Sequence, residues 1–222
     1  MLTVGVDEAA VESDLRAGVL VCPVPGCGGR LAPWGWARKR PVRGLEGALR
    51  PRRSRCSSVV GCGATHVLLP ASVLLRRADA VDVIGRALLA AAEGLGRRRV
   101  AELVGLPGST VRGWLTRIGR VAGGVLAVCA VAAAGLGSDF VPPAPVMPTA
   151  VGAVGAVGAV VEMVGALGRA VGLRLGGSRS SWRLAAVVTG GRMLAPDGPD
   201  SVAGVAVPIN TSARLGGRAG SR

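Results

Sequence analysis

Aromatic side chains are nearly missing from these 222 residues: no tyrosine, one phenylalanine and four tryptophans. Alanine, valine, leucine and 36 glycines supply the apolar content instead, so each buried contact covers little area. Such a chain suits a helical, loosely cored protein better than an enzyme built on a large sheet. Histidine is as scarce, with His66 alone, and no strand-turn-helix nucleophile elbow is visible, which argues against a hydrolase triad. No phosphate-cradling P-loop occurs. Acidic groups are also short, 13 against 27 basic ones. Beyond residue 120 they are Asp139, Glu162, Asp197 and Asp200, with no sign of the three carboxylates that a two-metal transposase core brings together. The expectation is a protein that is not an enzyme. The N-terminus lacks a basic stretch ahead of an apolar run and carries Asp7, Glu8, Glu12 and Asp14 instead. No secretory signal is expected there, and the expected address is cytoplasmic and nucleoid-associated.

What the chain does have is positive charge, +14 in all, carried by arginine except at Lys39. Guanidinium forks pair bidentately with phosphate where ammonium groups cannot. GC-rich coding accounts for part of the arginine excess but poorly for its clustering. Between residues 30 and 55 stand Arg30, Arg38, Lys39, Arg40, Arg43, Arg50, Arg52, Arg53 and Arg55 against Glu46 alone, a local charge of +8. A field that dense favours a polyanion. No small-molecule substrate is evident.

The expected fold is mainly α: a small N-terminal zinc-ribbon-like β element, a three-helix helix-turn-helix domain and a C-terminal helix. Along the chain this places a short acidic helix in residues 1–20, within which Asp7–Arg16 has Glu12 and Arg16 four residues apart. The basic cysteine region follows at 21–70 and the helix-turn-helix domain at 71–137. A linker with four prolines spans 138–149, a helical segment 150–195 and a disordered tail 196–222. "VGAVGAVGAV" from Val151 to Val160 repeats at period three; close helix packing and low-complexity drift both explain it.

The stretch "RRRVAELVGLPGSTVRGWLTRIGR", residues 97–120, breaks a run of good helix formers at Gly-Leu-Pro-Gly. One helix is expected over Arg97–Val104, with Val100, Leu103 and Val104 on its apolar face. Gly105 can take the left-handed conformation that ends it. Pro107 suits the first turn of the next helix, Ser109 or Thr110 its cap, and Val111, Trp114, Leu115 and Ile118 its apolar stripe. Ala101, Gly105 and Val111 resemble the helix-turn-helix family of DNA-binding proteins at its three most restrictive places. Trp114 departs from it, standing where a branched aliphatic is more usual. The resemblance implies that the second helix enters the major groove by its N-terminal end. It would present Ser109, Thr110, Arg112, Thr116 and Arg117, with Arg112 reading guanine. Ser109, Thr110, Arg117, Arg97, Arg98 and Arg99 suit phosphates.

Upstream, Cys22 and Cys27 form one pair and Cys56 and Cys62 another. Two cysteine knuckles around a hairpin describe a zinc ribbon holding one Zn²⁺ per chain. Four and five residues between paired ligands exceed the usual two to four, so four unligated thiols are the alternative, and His66 could replace Cys62. Cys129 reads as a buried small residue. In the ribbon Trp34 and Trp36 lie beside Arg38, Lys39 and Arg40, and these three basic residues, with Arg52 and Arg53, are the expected DNA contacts. The hairpin could lie along a phosphate backbone, or both indoles could fill its core. So few aromatics make RNA base stacking a poor basis for recognition.

The order of "RPRRSRC", "CGATHVLLP", "LLRRADAVDVIGRAL", "TVRGWLTR" and "WRLAAVVTGGRMLAP" resembles an uncharacterised bacterial family over residues 14–195. Its members are helix-turn-helix proteins with an N-terminal cysteine region, similar to proteins encoded beside insertion elements. The resemblance implies sequence-specific binding of double-stranded DNA, as a transcriptional regulator or an accessory of a mobile element. The widened knuckles and the Val/Gly/Ala stretch at 121–165 depart from it. The competing class is a membrane protein with weakly hydrophobic helices at 121–138 and 150–168. A buried helix that also serves as a homodimer contact explains those segments more simply.

Overall fold

The computed structural model describes residues 1–57, 61–134, 153–175 and 180–196. Asp7 starts the first helix, α1 (Glu8–Arg16), by accepting the Ala9 and Ala10 amides at 3.0 and 3.2 Å, which satisfies two donors a helix start leaves open. Ahead of it Leu2–Val4 form a strand, β1. Sequence reading places only the helix in this region, because three residues without alternation carry no strand signal of their own. The strand exists through its partner: it pairs in parallel with Thr65–Pro70, Leu2 opposite Leu68.

The ribbon is built from β2 (Leu31–Trp36), β3 (Arg40–Pro41), β4 (Ala48–Leu49), β5 (Arg52–Cys56) and β6 (Thr65–Pro70). A mixed sheet of four strands runs in the order β1-β6-β5-β2, with β2 at an edge, and β3 pairs with β4 separately. Leu15, Leu20, Cys22, Leu31, Cys56 and Leu68 close a small core between this sheet and α1. Glu12 ties the two layers, accepting Arg52 Nε at 2.8 Å and Nη2 at 3.1 Å.

The larger core is helical: α2 (Val81–Ala92), α3 (Arg97–Val104), α4 (Gly108–Ala134), α5 (Ala153–Leu175) and α6 (Ser181–Val188). Among the described residues the chain has six helices, so mainly α describes it with the mixed sheet added. Val100, Val111, Trp114 and Ile118 are buried together with Ile84 and Leu88 of α2. Leu103, expected on the apolar face of α3, is 58% exposed. It lies three residues past Val100, but α3 meets the core through Val100, Ala101 and Val104, a face from which Leu103 is turned away.

α4 runs 27 residues without a stop. The segment from 121 onward, read as a separate buried helix, is its continuation, since no proline or cap residue interrupts it. Val125, Cys129 and Ala133 on one side of α4 join Val157, Val160, Val164 and Leu167 of α5 in the core, a three- and four-residue rhythm. Close packing does not account for glycine in the period-three repeat at Gly158, where an added Cβ would meet nothing within 4 Å. It does at Gly85 and Gly168, where a Cβ would run into Trp182 and Ser181 of α6. The 150–195 segment therefore holds two helices, not one. Asp82 on α2 locks α6 in place, accepting Arg183 Nε at 2.9 Å and the Ser180 hydroxyl. The linker expected at 138–149 lies outside the described residues, as does the 196–222 tail apart from Pro196.

Candidate metal centre and cationic surfaces

Two turns bring the cysteines together. In the first, the Cys27 amide donates to Val24 O at 3.1 Å and the Cys22 amide to Gly29 O at 2.8 Å. Gly26 and Gly28 take φ of 74° and 61°, conformations that a side chain would strain. In the second, the Cys56 amide donates to Ala64 O at 2.9 Å. The widened spacing is thus absorbed in the loops, and the Sγ atoms of Cys22, Cys27, Cys56 and Cys62 all lie within 4.8 Å of one another.

Cys22 and Cys62 are 3.7 Å apart at sulfur, as are Cys27 and Cys56. A disulfide needs about 2.05 Å, and all the cysteines are free. A tetrahedron with ligand distances of about 2.3 Å has edges of about 3.8 Å. Two of the six sulfur–sulfur edges thus match a tetrahedral site, and the remaining ones stay within 4.8 Å, a spacing compatible with one metal ion. Cys62 N donates to Cys27 Sγ at 3.3 Å, and backbone donors from Gly29 and Cys62 bring the Cys27 thiol down to about 7. Burial pushes Cys22 up to about 12, so at neutral pH a cation entering there must displace its proton. The four cysteines cluster without His66, which stands beside them. His66 is buried, with Nε2 3.5 Å from Cys22 Sγ. Cys129 is fully buried in the helical core, where desolvation raises its thiol to about 12.

The second surface forms at the break between α3 and α4. Gly105 sits at φ 65°, ψ 37°, the left-handed conformation, and ends α3. Leu106 N reaches back to Ala101 O at 3.0 Å. Pro107 offers the first carbonyl of α4, accepting from Thr110 at 2.9 Å and Val111 at 3.3 Å. Pro107 therefore caps α4 in place of Ser109 or Thr110, which stand inside its first turn. Val111, Trp114 and Ile118 face inward, while Ser109, Arg112 and Thr116 are exposed on the opposite side and Thr110 is half-buried. Arg97, Arg98, Ser109 and Arg112 line one open groove across the turn.

The arginines divide by what they touch. Arg97, Arg99 and Arg112 are exposed and make no ion pair among the described residues. Arg98 pairs with Glu102 at 3.3 Å across an exposed turn, an interaction weak enough to yield to a phosphate. Arg117 folds back on its own helix, donating to Gly113 O at 3.2 Å. A Cβ at residue 113 would come 2.9 Å from that guanidinium, so Gly113 makes room for Arg117.

On the ribbon, Arg38 and Lys39 are exposed and Arg53 half-buried, none with an ion pair among the described residues. Arg40 donates to Arg77 O at 3.1 Å. Arg52 is committed to Glu12 and, at 2.7 Å, to Gly35 O, with its side chain 14% exposed. Arg40 thereby spends one donor on the segment before α2, whereas Arg52 is committed within the ribbon. Sequence reading misses this because the strand register, which sets Arg52 opposite Trp36, places the guanidinium between α1 and the sheet. Arg50 and Arg55, outside the expected contact set, stand exposed beside the tryptophans.

No family model, curated protein or solved structure matches the chain. Geometry and chemistry carry the functional reading.

Proposed function

We propose that the chain is a sequence-specific duplex-DNA-binding protein, a transcriptional regulator or a mobile-element accessory, that inserts the N-terminal turns of α4 into the major groove. The observation that supports this most is the left-handed break at Gly105. It points Ser109, Arg112 and Thr116 outward from a helix whose opposite face is buried at Val111, Trp114 and Ile118. The unpaired Arg97 and Arg99 at the start of α3 flank that face and suit phosphates. The first amides of α4, without intrahelical acceptors, add positive potential at the same end. Arg112 is the base reader, through guanine O6 and N7.

Zinc fits the cysteine cluster, since four thiolates within 4.8 Å of one another are the donor set of a structural site. Cys22, Cys27, Cys56 and Cys62 would hold it. The ion would tie the loop between α1 and β2 to the end of β5 and the loop before β6, around a core of few large residues, and present Arg38, Lys39 and Arg53 to the DNA backbone.

A gel-shift series tests the reading. With about six phosphates contacted, affinity falls on the order of a thousandfold between 50 and 200 mM salt. Arg112→Ala loses about 1–3 kcal/mol at one base pair and relaxes preference there. No binding at low salt overturns the proposal, and uniform weakening on every sequence moves Arg112 to the phosphates.

A membrane location is the competing reading, favoured by one observation: α4 is long and apolar enough to cross a bilayer by length and composition. Against it, α4 uses its Val125, Cys129 and Ala133 side to pack on α5. Protein retained in washed membranes after high salt would decide for the bilayer.

A further inference from the structure

We propose that the ribbon edge binds unpaired DNA bases, stacked on Trp34. The inference rests on the DNA reading above and deepens it by naming a second site with its own ligand.

β2 is an edge strand, and its pairing with β5 shifts register between Pro33 and Gly35. The bulge leaves Trp34 as the unpaired residue and turns it outward. Trp34 is 53% exposed and Trp36 46%. For a chain with five aromatic residues this is an unusual use of two of them. Trp114 alone among the tryptophans is fully buried, and an indole in a core would cover more apolar surface than any other side chain.

Each exposed ring is held by arginine. Arg55 lies over Trp34 at 4.8 Å, and Arg52 and Arg50 lie over Trp36 at 4.8 and 5.7 Å. A guanidinium stacked on an indole fixes the ring and keeps positive charge beside it. Exposed Arg38 and Lys39 continue the cationic strip on the same hairpin, and Arg53 adjoins on β5.

Flat π-surfaces interleaved with cations suit a strand whose bases are free and whose phosphates follow at regular intervals. A fully paired duplex offers no such face except at its ends. Of the two rings Trp34 is the better platform. Trp36 shares its hollow with Glu8 and Glu46, which offset Lys39 and Arg50 there, and its Arg52 is already paired with Glu12. The scarcity of aromatics that argued against stacking is a property of the whole chain; here two of them stand exposed on one edge strand.

The test uses the full-length chain and two duplexes of one sequence, one blunt and one carrying a short oligo(dT) overhang. At equal salt the overhung duplex binds about 5- to 150-fold tighter, the range for one stacked base. Trp34→Ala abolishes that preference while leaving blunt-duplex affinity and melting temperature unchanged, and Trp34→Phe, which keeps a ring, restores most of it. Equal affinity for both duplexes, or a preference that survives Trp34→Ala, overturns the proposal. Tighter binding of oligo(rU) than oligo(dT) overturns the assignment to DNA. Binding of oligo(dT) that depends on Trp34, with no binding of blunt duplex, supports the ribbon site and refutes the α4 groove reading alone.

Discussion

Replacing Gly105 by alanine has opposite signs in the two conformations this stretch could adopt. Inside a continuous helix, Gly→Ala stabilises by about 1 kcal/mol. At φ 65° and ψ 37° the added Cβ crowds its own carbonyl, which costs about 1–2 kcal/mol. Nothing lies within 4 Å of the position that Cβ would take, so no packing contribution offsets or enlarges the backbone cost. For a chain of this length each kcal/mol moves the melting temperature by about 2–4 °C, and the expected fall is about 2–8 °C. Gly105→Asn should lose less, because asparagine visits the left-handed region more readily. Equilibrium unfolding in urea measures both variants. A gain in stability for Gly105→Ala would mean that α3 and α4 run straight through residue 105, and the outward tip of α4 would no longer follow.

The purified chain should carry one zinc by elemental analysis, and a chelator should lower its melting temperature; equal melting with and without chelator would refute a structural ion. Metal affinity should fall as pH falls, because Cys22 holds its proton up to about 12 and the ion must displace it; a pH-independent affinity would contradict this. The Arg52 guanidinium holds the Glu12 carboxyl below its ordinary range. Its contribution to stability is present above the unfolded glutamate value and is lost as pH falls below about 4. Glu12→Gln should flatten that acid limb, and an unchanged limb would show that the pair contributes nothing.

Several features are legible in the sequence because they depend on local chemistry. The break at Gly105 follows from Gly-Leu-Pro-Gly between helix formers, and the burial of Val111, Trp114 and Ile118 from their three- and four-residue spacing. Convergence of Cys22, Cys27, Cys56 and Cys62 is legible despite the widened spacing, because glycines at the knuckles permit tight turns. Other features depend on partners far along the chain. Leu103 looks like a core residue by its spacing, yet the face of α3 that meets the core is set by Val100, Ala101 and Val104, and Leu103 lies off it. Arg52 looks like a phosphate contact, yet Glu12, forty positions away, takes its guanidinium. β1 has no strand pattern and forms because β6 offers an edge.

Composition alone determined that the chain is cationic and poor in aromatics, because those are counts of chemical groups that folding does not alter. Spacing determined where helices break, because backbone preference acts over a few residues. Tertiary structure alone decided which arginines remain unpaired, that Trp34 and Trp36 face solvent, and that α4 leans on α5 along its second half. Each of those outcomes requires two distant segments to meet, and no short window of sequence contains both.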